Sequence, residues 1–546
     1  MTLTESTGTS PKTEEQPWWQ TAVVYQIYPR SFRDSNGDGI GDLGGIIDKL
    51  DHLAGVQGES LGIDAVWISP FFTSPMADFG YDVADYRDID PIFGDLDTFD
   101  RFVDVAHRRG LRVIIDYVPN HSSDRHDWFV DSRSSRNSEK RDWYIWRDAR
   151  SDGSLPNNWG SPFGGPAWTL DPTTGQYFLH QFLPEQPELN WRNPHVEQEM
   201  FDVLRFWLDR GVDGFRMDVI GMIIKDAELR DNPANPEARG DLPENDIFGR
   251  QQHLYNEDQD GVHDVLRRMR LVLDEYDDVC GIGELGYSLE RWVRYYGDND
   301  ELHLPFNFRL MEQPWDASAI RASVEALESA LPPGAWPTFV LGSHDAPRLA
   351  SRIGKAQARV AAMLLLTLRG TPTLYQGDEL GLENGVISQD RLCDPQGLRL
   401  GPERSRDPGR TPMQWNSDPF SGFSSVEPWL PINRDFTVNN AAVQAAEPAS
   451  VLNLYRSLLR YRRSDPVLLS GSYETYRAPD GCFAFLRRYS DLIRLVALNL
   501  TSEPLGVDLE VLSGAVAIST YLDRDGPEAE TLSLRPDEGV IVEVDA

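Results

Sequence analysis

Eight short apolar runs, separated by stretches of helical periodicity, constrain this 546-residue chain more than any other feature. In order they are Val23-Val24-Tyr25-Gln26-Ile27-Tyr28, Ala65-Val66-Trp67-Ile68, Arg112-Val113-Ile114-Ile115-Asp116, Gly214-Phe215-Arg216-Met217-Asp218-Val219-Ile220, Gly281-Ile282-Gly283-Glu284, the run around 302–306, Phe339-Val340-Leu341-Gly342-Ser343-His344-Asp345 and Pro372-Thr373-Leu374-Tyr375. Helical spacing is clearest over 99–109, 196–210 and 357–369. Strands that alternate with helices build βαβ units and a parallel sheet. Eight such units close an α/β structure of the (β/α)8 TIM barrel type, in which reactive side chains sit at the C-terminal ends of several strands. Four of the runs carry a carboxylate there: Asp116, Asp218, Glu284 and Asp345.

The run at 214–220 bears most directly on chemistry. Successive strand residues face opposite sides, so Arg216 and Asp218 share one face while Phe215, Met217 and Val219 share the other. An arginine and an aspartate on the inner face of an apolar strand are costly to desolvate. A structural ion pair explains that strand alone; the acids that end three further runs point instead to a shared site.

Two breaks interrupt the pattern. The stretch 117–191, rich in Asp, Ser, Asn, Gly and Trp, is too long for a passive connection and reads as an inserted lid domain after strand 3. From 469 onward short alternating runs at 482–486, 492–498, 507–509, 517–521 and 539–544 read as a C-terminal antiparallel β-sandwich. The expected organisation is a flexible tail over 1–17, the barrel over 18–116 and 192–468, the lid over 117–191 and the sandwich over 469–546.

Composition narrows the partners. With 87 acidic against 52 basic residues the net charge is −35, which argues against nucleic acid and anionic membrane surfaces. No run approaches the roughly 20 apolar residues of a membrane span, and residues 1–16 lack the apolar core of a secretory signal. The three cysteines, Cys280, Cys393 and Cys482, are far apart and lack metal-ligand spacing. Cys280 is expected simply to pack at the start of a strand. A cytoplasmic protein, monomer or homodimer, is the expectation.

From about Trp18 to the C-terminus the chain resembles glycoside hydrolase family 13, the α-amylase superfamily, in its oligo-1,6-glucosidase and α-glucosidase branch. The motifs that carry the resemblance are Val24-Tyr25-Gln26-Ile27-Tyr28-Pro29-Arg30-Ser31-Phe32, Gly80-Tyr81-Asp82-Val83, Asp116-Tyr117-Val118-Pro119-Asn120-His121, the strand around Asp218, the strand ending at Glu284, and His344-Asp345. Glycosidic cleavage needs an acid for the leaving oxygen and a second carboxylate for the oxocarbenium-like transition state, and the gap between them decides retention or inversion. The resemblance implies retention, with Asp218 as nucleophile, Glu284 as general acid/base and Asp345 as transition-state stabiliser. It implies that Arg216 keeps Asp218 ionised, that Asp82 grips the terminal sugar hydroxyls, that Tyr81 stacks on the ring and that His121 and His344 donate to sugar oxygens. Arg410 would close an exo-type pocket, with Phe163, Phe182 and Gln186 contributed by the lid. The expected partner is a short oligosaccharide or disaccharide.

Asp34-Ser35-Asn36-Gly37-Asp38-Gly39-Ile40-Gly41-Asp42 offers oxygen donors at every second position, a spacing suited to a hard cation, without the bidentate Glu that ends an EF-hand loop. The alternative is a glycine-rich turn capped by aspartates. Related α-glucosidases imply a structural calcium ion held by Asp34, Asn36, Asp38, the Ile40 carbonyl and Asp42.

Val219 follows the nucleophile, and in this branch valine accompanies α-1,6 linkages where threonine accompanies α-1,4, so isomaltose-type substrates are favoured. Sucrose isomerases share the scaffold, but Asp390-Arg391-Leu392-Cys393-Asp394 is a poor match to their Arg-Leu-Asp-Arg-Asp signature. Trehalose-forming and transglucosylating relatives stay open. Ser343 and Ala346 replace the family's usual Asn and common Gln around His344-Asp345. Transporter heavy-chain ectodomains are catalytically inert relatives, but they carry a membrane span and erode the acids that this chain keeps.

Overall fold

The computed structural model describes residues 16–56 and 58–545, so the tail expected over 1–17 lies almost wholly outside the described residues. Eight parallel strands form the central sheet: β1 (Val24–Ile27), β2 (Ala65–Ile68), β3 (Arg112–Tyr117), β4 (Gly214–Met217), β5 (Cys280–Leu285), β6 (Leu304–Asn307), β7 (Thr338–Val340) and β8 (Thr371–Tyr375). They hydrogen-bond in the order β6-β5-β4-β3-β2-β1-β8-β7. β6 and β7 lie side by side without a ladder between them, so the barrel is nearly closed.

Alternation along the strands sorts the side chains into two shells. Val24, Ala65, Trp67, Ile114, Cys280, Ile282, Leu304, Phe306 and Val340 fill the barrel interior as one buried cluster. Tyr25, Val66, Ile68, Val113, Ile115, Phe215 and Met217 join the core outside it. Followed one step further up the strands, the inward series reaches Gln26, Asp116, Arg216, Asp218 and Glu284. The register sets Asp116 directly opposite Arg216 and Arg216 opposite Ile282. An apolar floor therefore supports a polar layer at the strand ends.

The surrounding helices begin two or three residues before the apolar periodicity becomes visible, because the first turn belongs to the cap. Helix Leu96–Arg108 starts at Asp95, whose carboxylate accepts from the Thr98 amide at 2.8 Å, and it buries Phe99, Phe102, Val103 and Ala106. Helix Pro194–Leu208 is capped by Asn193 with a proline in its first turn. Helix Lys355–Thr367 is buried nearly all round, since the C-terminal sheet covers the side that a barrel helix normally shows to water.

Between β3 and β4 the chain forms helix Asp127–Ser134 and a three-stranded antiparallel sheet of Trp146–Arg147, Gln176–Leu179 and Trp168–Asp171. The C-terminal strands, Ser472–Tyr476, Cys482–Tyr489, Leu492–Asn499, Leu505–Ser519, Gly526–Leu534 and Gly539–Val544, hydrogen-bond as one six-stranded antiparallel β domain. A register shift between Asp508 and Ser513 interrupts the longest strand. Phe483, Phe485, Val496, Leu498 and Ile541 turn one face to the barrel core, while Ala484, Leu486, Leu495 and Val542 form a separate core on the other. Arg462 and Arg487 clamp this junction from inside: they donate to the carbonyls of Leu366 (3.0 Å), Gly370 (2.8 Å), Thr367 (2.6 Å) and Gly471 (2.8 Å). Three of these carbonyls end or follow helix Lys355–Thr367, where intrahelical donors run out. No helix of the described residues is long and apolar enough to cross a membrane.

Candidate active site

Arg216 organises the floor of the site. It is 1% exposed, with its guanidinium 5.0 Å from the Trp67 ring centroid. Nη1 donates to Asp116 Oδ1 (2.7 Å) and Asp218 Oδ1 (2.8 Å), and Nη2 forms an ion pair with Glu284 Oε2 (2.5 Å). One buried cation thus draws together the acids of three adjacent strands. Asp116 is further fixed by donors from Trp67 Nε1 (3.1 Å) and Tyr81 OH (3.2 Å). Burial pushes its carboxyl up to about 6 against the pull of Arg216. Burial likewise drives Asp218 well above the usual carboxylate range; Arg216 opposes that rise, while Glu284, Asp116 and Asp345 reinforce it.

The backbone turns sharply after Asp218. Val219 adopts φ 36°, ψ 41°, an uncomfortable left-handed conformation for a β-branched residue. The strain has a local consequence: the Val219 amide donates to Glu284 Oε2 at 3.1 Å, tying the ends of β4 and β5 together.

Asp345 lies beyond its strand. β7 ends at Val340, and the next residues turn where Gly342 packs so closely on Asp378 that a Cβ there would stand 2.9 Å from Oδ2. Ser343 Oγ accepts the Asp345 amide at 3.2 Å, so the substituted serine still holds the turn. Asp345 Oδ1 accepts from Arg410 (2.8 Å) and Arg406 (3.2 Å). Burial would raise this carboxyl, but His344, Arg406, Arg410 and Arg216 hold it below the usual range. Its side chain is 39% exposed, against 9% for Asp218 and 19% for Glu284, so it faces the pocket opening.

The three acids share a pocket of about 280 Å3 with Tyr81, His121, Phe163, Phe182 and Gln186, all singled out from sequence, and with Val219. Four other expected contacts do not line it. Asp82 is fully buried and its carboxylate caps a turn, accepting the amides of Ala77 (2.8 Å) and Asp78 (2.9 Å). Arg410 is 1% exposed behind the wall, holding Asp345 and the His344 carbonyl. Arg216 lies beneath the acids. His344 is stacked between Tyr28 and Tyr81, 5.6 Å from each, with Gln26 Nε2 2.6 Å from Nδ1 and Tyr81 OH 2.8 Å from Nε2. Burial brings His344 and His121 down to about 3, so both rings are neutral near pH 7.

The pocket instead holds Asp78, Arg406 and Gln396, which sequence reasoning missed. Arg406 donates to Asp78 Oδ1 (2.7 Å), Asp394 Oδ1 (2.6 Å) and Asp345 Oδ1 (3.2 Å), and its guanidinium lies 4.9 Å from the Phe163 ring centroid. Gln186 Nε2 donates to Asp78 Oδ2 at 3.3 Å. Asp78 and Arg406 each stand four residues before the residue chosen from sequence, so the same two motifs reach the pocket through a different charge.

Two further expectations concern other places. Cys280 is fully buried inside the barrel, where burial pushes its thiol well up. In the 34–42 loop, Asp34 accepts amides from Asn36 (3.0 Å), Gly37 (2.7 Å) and Gly39 (2.9 Å) and the Ser424 hydroxyl (2.6 Å). Asn36 and Asp38 cap their own turns, and Asp42 caps helix Leu43–Leu53. Among the described residues no group of three or more His, Cys, Asp or Glu is arranged to hold a metal ion, so these carboxylates do not converge.

The sequence profile described as the α-amylase catalytic domain matches residues 26–471. A probable α-glucosidase of Rhizobium meliloti (strain 1021) is 44% identical, with 96% of this chain and 98% of that protein covered. An oligo-1,6-glucosidase of Heyndrickxia coagulans is 39% identical over 93% of this chain and 96% of its own. The crystal structure of an α-glucosyl transfer enzyme superposes with a TM-score of 0.90 at 41% identity, covering 97% of this chain and all of that one. With the acids at the ends of β4 and β5 and in the loop after β7, and with this match along nearly its whole length, the chain belongs to the α-amylase family, glycoside hydrolase family 13.

Proposed function

We propose that this enzyme is a retaining, exo-acting α-glucosidase that releases α-glucose from the non-reducing end of short α-glucosides. The observation that carries the proposal is Arg216 bridging Asp218 and Glu284 at the floor of a small pocket that Asp345 overlooks. Two carboxylates gripping one guanidinium fit the shorter of the two glycosidase spacings, about 5–5.5 Å, at which the second acid attacks directly. Asp218 attacks the anomeric carbon while Glu284 protonates the departing oxygen; Glu284 then takes a proton from water as the glucosyl-enzyme is hydrolysed. Asp345, held ionised by Arg406 and Arg410, stabilises the positive charge of both transition states.

Asp78 and Arg406, rather than Asp82 and Arg410, are assigned to the blind end of the pocket, where they grip the terminal hydroxyls. Asp78→Asn is expected to lower kcat/KM by about 10–100-fold through loss of charge-assisted hydrogen bonds, with a near-native Tm. Asp82→Asn is expected to do the reverse, lowering Tm by a few degrees with little change in kcat/KM. Steady-state kinetics and calorimetry on the two variants separate these roles.

Linkage preference is proposed as α-1,6, supported by Val219 and by the oligo-1,6-glucosidases among the relatives. A methyl in place of a hydroxyl is a lever of only about 1–3 kcal/mol. Val219→Thr is therefore expected to shift the isomaltose-to-maltose ratio of kcat/KM by roughly tenfold toward maltose. The exo mode is tested with linear α-glucans: glucose alone is expected, and early oligosaccharide products would contradict it. The likeness to an α-glucosyl transfer enzyme supports a second reading, in which a sugar hydroxyl replaces water in the second step; glucoside products that outnumber free glucose at high sugar concentration would favour it.

The 34–42 loop takes no part in the chemistry. Its donors are all oxygen, the preference of a hard cation, although its carboxylates do not converge here, and a structural calcium ion is proposed on the donor chemistry alone. Chelation is expected to lower Tm by a few degrees and added calcium to restore it; a Tm indifferent to both removes the ion. A cytoplasmic location is proposed in keeping with three unpaired cysteines, and a monomer or homodimer as the working state.

A further inference from the structure

A second cavity lies where the inserted segment meets the loop after β4. Its volume is about 460 Å3, larger than the catalytic pocket, and within the range of small-molecule sites. Arg141, Arg147, Arg192 and Lys225 line it, together with Asp142 and Asp226.

The charges in this wall are unevenly paired. Lys225 is matched by Glu188, and Asp226 is claimed by Arg230 at 2.7 and 3.0 Å. The Asp142 carboxylate accepts from the Asn190 side-chain amide at 3.2 Å. The three arginines have no carboxylate partner within ion-pair distance among the described residues, although the chain carries 87 acids. The guanidinium groups of Arg147 and Arg192 each make one hydrogen bond, to the carbonyls of Trp146 (2.7 Å) and Lys225 (2.7 Å), leaving most of their donors uncommitted. Arg141 is held rigidly, 3.5 Å from the Trp146 ring centroid, and donates to Ser132 O (2.9 Å), Thr174 Oγ1 (3.2 Å) and Gln176 Oε1 (2.7 Å). Its buried Nε has no partner at all. A guanidinium presents a planar fork of donors that matches an oxyanion, and three such groups around one concavity concentrate positive potential in a protein whose net charge is −35.

We infer that this cavity binds a small phosphate-type oxyanion, either free or as the phosphate of a hexose phosphate. The site stands apart from the catalytic acids and does not depend on the activity assigned to them. The test is isothermal titration calorimetry on the intact protein at constant ionic strength, with excess glucose present to fill the catalytic pocket. The probes are inorganic phosphate and glucose 6-phosphate, with chloride as the control salt. One saturable site is expected, with a Kd in the millimolar range or tighter for at least one probe. Equal affinities would assign recognition to the phosphate alone, and tighter hexose phosphate binding would assign part of it to the sugar. The double variant Arg147→Gln, Arg192→Gln is expected to weaken binding by about tenfold or more while its turnover of isomaltose stays at the parent rate, which also certifies its fold. Failure of both probes to saturate, or undiminished binding by the double variant, would overturn the inference.

Discussion

Asp218→Asn is expected to lower kcat by about four orders of magnitude or more while leaving the folded protein as stable as before, or more so. The first half follows from the role proposed for Asp218: an amide oxygen cannot carry the covalent glucosyl intermediate, and no other acid lies at the end of β4. The second half follows from its environment. Burial, with Glu284, Asp116 and Asp345 nearby, raises the Asp218 carboxyl in the folded state, more than Arg216 lowers it. A carboxyl whose folded pKa is raised binds its proton more readily folded than unfolded. Its contribution to stability is therefore favourable at low pH and is lost as pH rises toward and through the folded value. At neutral pH an uncharged asparagine removes that cost, while Arg216 keeps Asp116 and Glu284 as partners. Single-turnover kinetics beside a thermal melt check both halves. Substantial residual turnover would remove Asp218 from the chemistry; a collapsed melt would show that the arginine cluster needs all three acids to fold.

Glu284→Gln is expected to cost about 10²–10⁴ in kcat on isomaltose, the range of a positioned general acid. The loss should depend on the leaving group. An aryl glucoside with an acidic phenol needs little protonation, so formation of its glucosyl-enzyme should be nearly unimpaired and only the second step slow. A pre-steady-state burst of phenol is then expected, and azide, which needs no general base, should speed turnover. Equal losses on aryl and sugar substrates, with no burst, would assign Glu284 a structural part in holding Arg216 and the Val219 amide.

Much of the fold was legible because the barrel repeats one local rule. Apolar runs with a period of two, each followed by a helical stretch, located all eight strands, and parity within a strand put Arg216 and Asp218 on the inner face. Asp116 and Glu284 were legible on the same ground. Asp345 was legible as the acid that closes the seventh run, although the strand itself stops at Val340 and the acid lies in the turn beyond β7. The differences at the pocket wall have a common cause. Asp78 and Asp82 occupy one turn and carry the same charge, as do Arg406 and Arg410 in theirs, and spacing alone does not tell which member of a pair faces the cavity. That choice is made by backbone: Met76 and Phe79 adopt φ of 65° and 50°, and the turn they shape buries Asp82 against its own amides while Asp78 meets Arg406 across the pocket. His344 stands outside the pocket lining for a long-range reason, because the rings that enclose it come from the residue after β1 and the turn after β2, far away in sequence. The arginine-lined cavity left no trace at all, as its residues come from the inserted segment and the β4 loop and meet only in the fold.

The central claim, that Asp218 and Glu284 cleave α-glucosides by double displacement, is tested most directly by a proton NMR time course on isomaltose, maltose and sucrose, read before mutarotation blurs the anomers. The expected result is α-glucose as the first product, fastest from isomaltose. β-Glucose as the first product would contradict the retaining mechanism and, with it, the roles given to both acids.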